Sequence, residues 1–174
     1  MRLQNHLLFA ALACFLTSAT YGQAPAWKSL RYGKVSLNYP PTWRTTKESH
    51  EGQTHVTLTP DSMQNLSMRI IEIYEIPLGG DHTYARFKKD FAANLNSQPD
   101  GSTKVLKVEE ISFKGHKTLY TEIIRSSLPA KAYAINAGSR IYLIFLLLSR
   151  HVNVPDPKME KDEKAILNSI TFDQ

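Results

Sequence analysis

Among the residues whose types could do chemistry, the first group met is His50-Glu51-Gly52-Gln53-Thr54-His55. A zinc-protease helix sets two histidines four residues apart on one face, with the glutamate beside the metal. Here the histidines are five apart, Thr54 stands where the second ligand is needed, and Gly52 weakens a helix. The segment also leads into an extended pattern. It therefore reads as a solvated loop, with a two-histidine metal site in that loop as the alternative.

Two carboxylates, Glu72 and Glu122, lie in apolar stretches beside Ile71, Ile73 and Ile123. Buried there, a carboxyl is pushed toward its neutral form and could act as a general acid or a ligand anchor. Pointing out of the sheet, it is an ordinary surface charge. Tyr74, Tyr120, Tyr133 and Tyr142 could line a pocket, or pack in the core with their hydroxyls at its rim. Serines are numerous, but none stands in a Gly-x-Ser-x-Gly elbow. Leu78-Gly79-Gly80-Asp81 precedes a helical pattern and could cradle an anion, except that Asp81 would repel it, so a turn is expected. Asn65-Leu66-Ser67 matches the glycosylation sequon. These patterns assign no catalytic, cofactor-binding or metal-binding residue, and no cofactor is expected. Glu72, Glu122, His50 and His55 stand as candidate ligand anchors.

The N-terminus gives an address. Arg2, the apolar run Leu7 to Leu16 and then Thr17-Ser18-Ala19-Thr20-Tyr21-Gly22 follow the order of a signal peptide, with cleavage expected before Gln23. The run falls well short of the roughly 18 residues of a membrane span. Ala11-Leu12-Ala13-Cys14 loosely resembles a lipobox, which offers a membrane-anchored lipoprotein as the alternative to a free periplasmic or extracellular protein. Against it, the apolar run continues through Cys14 and only 13 residues precede that cysteine. Cleavage before Gln23 removes the single cysteine, and with it thiol catalysis, cysteine-based zinc sites and disulfides.

Of 174 residues, the 152 after the first 22 suffice for one domain that buries roughly 70% of its unfolded surface. A hydrophobic content of 42% with 21% charged residues excludes a disordered tail, a collagen-like fibre and a multi-span membrane protein. The net charge is +5, or +4 without Arg2, and acidic residues interleave with most of the lysines. No basic stripe is present, so nucleic acid is not an expected partner.

The elements that must position the candidates follow from periodicity. Lys34 to Tyr39 alternates with Val35, Leu37 and Tyr39 on one face, and Pro40-Pro41 ends it. Trp43 opens a short extended piece, and His55 to Thr59 directs Val56 and Leu58 inward. Ser67 to Ile76 is apolar on both faces and needs cover on both. Tyr84, Phe87, Phe91 and Leu95 mark a helix with Asp81 or Thr83 as its cap. Lys104 to Phe113 and Lys117 to Arg125 form one hairpin; Ala130 to Asn136 and Arg140 to Ser149 form another. Ile141 to Leu148 is apolar at every position and predicts a central strand. Asp156 caps a last helix that starts at Pro157 and turns Met159, Ile166, Leu167 and Ile170 inward. About seven strands and two helices, mostly antiparallel, make an α+β protein: one twisted sheet with helical cover, an α/β/α sandwich. The expected division is a signal peptide over 1–22, an arm over 23–32 and the domain over 33–174.

The order of landmarks resembles the PsbP-like family. They are Tyr39-Pro40-Pro41-Thr42-Trp43, the Tyr84 to Leu95 helix, Gly115 leading into Thr118-Leu119-Tyr120, Gly138 before Arg140-Ile141-Tyr142-Leu143, and the terminal Ile166-Leu167-Asn168-Ser169-Ile170-Thr171-Phe172. The resemblance runs from about Tyr32 to Phe172. That family includes an extrinsic photosystem II subunit, a nuclear-transport factor that binds the GTPase Ran, and exported bacterial proteins. The resemblance implies a non-catalytic accessory or protein-binding module of the cell envelope, with an envelope protein as partner and contact with a membrane only through Cys14. It carries over no functional residue. The alternative is a carrier of a small ligand or metal, and an envelope hydrolase comes third. Intact mass of the protein from its native host is expected to match a chain starting at Gln23; an acylated chain starting at Cys14 would replace that reading with the lipoprotein.

Overall fold

The computed structural model describes residues 26–50, 53–61, 69–97, 103–148 and 157–173. The Cys14 segment, the 65–67 sequon and Asp156 lie outside them, as do the side chains of His50 and Met159. Ten strands and two helices follow in order: β1 Lys28–Tyr32, β2 Val35–Tyr39, β3 Trp43–His50, β4 Gln53–Pro60, β5 Arg69–Pro77, α1 Tyr84–Asn96, β6 Thr103–Phe113, β7 His116–Arg125, β8 Leu128–Asn136, β9 Arg140–Leu148, α2 Pro157–Ser169 and β10 Thr171–Phe172.

Seven strands form one antiparallel sheet in the order β3-β4-β5-β9-β8-β7-β6. The apolar strand β9 lies inside it, between β5 and β8, as its sequence predicts. Alternation then sorts the side chains into two cores. On one face Ile71, Ile73, Ile144 and Leu146 pack with Val56 and Leu58 beneath Ile166 and Ile170 at the C-terminal end of α2. On the other, Phe91 and Leu95 of α1 meet Leu119, Ile123, Ile141, Leu143 and Phe145. Ala130, Ala132 and Ala134 supply three small side chains on that second face of β8, which leaves room for the aromatic side of the helix. Thr83 rather than Asp81 caps α1, its hydroxyl accepting from the Arg86 N–H at 3.2 Å.

The expected mostly antiparallel sheet of about seven strands with helical cover is present, and it is joined by a sheet that was not expected. A second, three-stranded sheet in the order β1-β2-β10 stands beside α2 over the first core. Its outer strand β1 comes from the stretch expected as an arm, and β10 is two residues long. Neither had a readable period: β1 buries only Tyr32 fully, with Leu30 partly covered. The corner Tyr39-Pro40-Pro41-Thr42-Trp43 passes the chain from the small sheet to the large one. There the Trp43 N–H donates to Pro40 C=O at 3.0 Å and the indole is 1% exposed.

The small sheet is pinned to the large one at the β1–β2 turn. The Lys34 N–H donates to the Tyr142 hydroxyl at 2.7 Å, and Gly33 sits over Tyr142 and Glu75, which pairs with Arg140. Gly33 has φ +60°, and a Cβ there would stand 2.5 Å from both Glu75 Oε2 and Tyr142 Oη. Gly80 has a similar φ of +55° with open space around it. Left-handed strain alone costs about 1 kcal/mol for a non-glycine residue, so Gly80→Ala is expected to cost about that much. Gly33→Ala is expected to cost about 1–3 kcal/mol more, from the clash with packed side chains. Denaturant midpoints of the two variants check the difference.

Candidate functional site

Glu72 and His55 both contact Tyr74 on the α1 side of the large sheet. Register accounts for it: His55 pairs with Tyr74 across β4–β5, and Glu72 pairs with Phe145 across β5–β9, all on one face. The Tyr74 hydroxyl donates to Glu72 Oε2 at 3.0 Å, and Arg125 Nη1 donates to the same oxygen at 3.1 Å. Arg125 lies on β7, so its side chain crosses β8 and β9 to arrive there, passing 5.5 Å from the centre of the Phe145 ring. Tyr74 meets Phe145 edge-on at 5.9 Å and stacks on His55 at 4.9 Å with an 18° interplanar angle. His55 Nε2 in turn lies 3.7 Å from Glu48 Oε2.

The result is a continuous run of fixed polar and aromatic groups, Glu48, His55, Tyr74, Glu72 and Arg125. Glu72 is mostly shielded at 16% exposure, while Arg125 keeps 38% of its side chain in solvent. A guanidinium held against a ring and a carboxylate keeps its orientation without a partner. Burial and then the Glu72 carboxylate push the Tyr74 hydroxyl up to about 12 from its ordinary 10.0.

Glu122 is not part of this group. It faces the α2 side, where Oε1 accepts from the Tyr120 hydroxyl at 3.0 Å. His50 ends β3 and pairs with Gln53 at the start of β4, so both histidines lie on strands rather than in a loop. Among the described residues no three His, Cys, Asp or Glu side chains are grouped as metal ligands. Gly79 and Gly80 form a turn closed by a bridge between Gly79 and His82, as expected of that stretch.

Arg125 is the residue that sequence reading missed. A signal existed: alternation along β7 puts Arg125 on the apolar face of Leu119 and Ile123, as alternation along β5 puts Glu72 on the face of Tyr74 and Ile76. Two opposite charges on one apolar face must find each other or neutralise.

In fold, the chain is similar to cyanobacterial PsbP (CyanoP) from Synechocystis sp. PCC 6803, whose solution structure matches 89% of this chain and 96% of that one with a TM-score of 0.61. Identity is 10%, so the likeness speaks for the fold, which is PsbP-like. No family model and no curated protein matches the chain.

A tyrosine whose folded pKa exceeds its unfolded one favours the folded state below the unfolded value and loses that contribution as pH rises through the folded value. Tyr74 and Tyr120 are both raised to about 12. Stability is therefore expected to fall between pH 10 and about 12. In Glu72→Gln the Tyr74 titration, followed by tyrosinate absorbance, should move back toward 10 without reaching it, because burial remains the larger cause.

Proposed function

We propose that this protein is an exported, non-catalytic accessory module of the cell envelope, and that it binds a protein partner through the sheet face built on Arg125, Tyr74 and His55. The observation that carries the reading is the prearranged Arg125 guanidinium. It is partly open to solvent, held over Phe145 and tied to Glu72, with a stacked Tyr74–His55 pair beside it. Arginine and tyrosine dominate binding hot spots because they offer large rigid contact area together with directed hydrogen bonds. Side chains already fixed lose little entropy when a partner arrives. The polar groups in this run bond to one another, which suits a recognition surface better than a reaction needing an exposed nucleophile and base. The PsbP-like fold adds an analogy of architecture, and the N-terminal signal pattern supplies the export.

Gentle cross-linking and co-purification from the native envelope tests this. The wild-type chain is expected to bring down one stoichiometric partner that survives a salt wash. Arg125→Ala should reduce its recovery about tenfold or more, in line with loss of a hot-spot residue, at a thermal midpoint that still reports a folded domain. Lys131→Gln on the opposite face should leave recovery unchanged. A clean monomer, or turnover of an envelope substrate that Glu72→Gln abolishes, would sink the proposal.

A further inference from the structure

The opposite face holds a cleft that the partner-binding surface does not use. It lies between α2 and the side of the sheet carrying Glu122 and Lys131, and has a volume of about 280 Å³. That is near the lower end of small-molecule sites and about twice a cavity that holds benzene. One wall is the Arg69–Glu163 ion pair, which ties β5 to α2 with side chains 13% and 14% exposed and so satisfies itself. Leu146, 5% exposed, forms apolar lining.

Two further features point to a ligand. Lys131 on β8 and Glu160 in the first turn of α2 both line the cleft, and among the described residues neither has an ion-pair or hydrogen-bond partner. Leu106 also lines it and is 55% exposed, although it is a large apolar side chain. Next to it, a β-bulge lies between Val105 and Lys107. Strict alternation would send Lys107 to the α1 side. The bulge leaves Lys107 opposite Glu122 and 5.9 Å from the centre of the Tyr120 ring, while Leu106 borders the cleft. Bulges are a recurrent means of re-aiming a side chain at a site.

We propose that this cleft binds a small zwitterion with an apolar body, a free apolar amino acid or a short apolar peptide. Its carboxylate meets Lys131, its ammonium meets Glu160 and the second oxygen of Glu122, and its apolar part covers Leu106 and Leu146. The charges select this class. A simple anion would face Glu122, Glu160 and Glu163, and a simple cation would face Lys131 and Arg69. A zwitterion satisfies both unpaired ends and removes exposed leucine surface from water.

The test is an amide-shift NMR titration of the labelled protein as secreted by an expression host, with L-leucine and Leu-Leu as separate probes and isoamylamine and 4-methylpentanoate as single-charge controls. Saturable shifts in β6, β7, β8 and α2 are expected from at least one zwitterion, with a Kd of about 1 mM or tighter. Leucine binding more tightly identifies a free amino acid as the ligand; Leu-Leu binding more tightly identifies a peptide. Lys131→Gln and Glu160→Gln, both at exposed positions, should each weaken binding about tenfold or more, whereas Arg125→Ala should not change it. The proposal is overturned by an absence of saturable shifts up to about 10 mM, by single-charge controls that bind as tightly as the zwitterions, or by unchanged affinity in both variants.

Discussion

From Ile141 to Leu146, β9 sends its side chains alternately to two faces, and none of the six is more than 9% exposed. Water must therefore be kept from both sides of the sheet at this strand. Burying one such side chain is worth about 1.5–3 kcal/mol, and net domain stability is only about 5–15 kcal/mol. Removing either covering layer would cost a large share of that margin. The layers follow: α1 with Phe91 and Leu95 on one face, and α2 with the three-stranded sheet on the other. The alanines of β8 and the corner at Trp43 serve this arrangement, the first by admitting aromatic bulk and the second by carrying the chain between sheets.

The same demand explains why charges on the α1 face form pairs. Glu72 and Arg125 sit at apolar positions of their strands, and each would be costly alone. Together they share one carboxylate oxygen with Tyr74 and use the Phe145 ring as a support. A pair of this kind adds little net stability relative to apolar side chains of the same size. What it contributes is position, a guanidinium aimed outward from a rigid sheet.

Much of this architecture was legible in the sequence. The alternation of β2 and β4, the unbroken apolarity of β9 and the helical spacing from Tyr84 to Leu95 each bury a periodic face, and period is what a sequence displays. The small sheet escaped notice for the converse reason, since β1 and β10 are too short and too exposed to show a period. The end of β3 at His50 had no readable period, because the strand carries charged and polar side chains there. At the candidate site, Glu72 and His55 stood out as residue types, but their shared contact with Tyr74 depends on the register of β4 on β5. Alternation puts Arg125 on the same face, but its reach to Glu72 depends on the strand order, which no local pattern encodes.

The pairing of β2 with β10 has a bearing on how the chain comes to be folded at all. Ser36 and Thr171 are 135 residues apart, yet they are register partners. One edge of β2 stays unpaired until Thr171 and Phe172 have been synthesised, and Tyr142 waits for Phe172 beside it. Closing so long a loop is slow as well as late. The smaller sheet thus closes only when strands far apart in the chain have met, and its completion reports on the folding of everything between them.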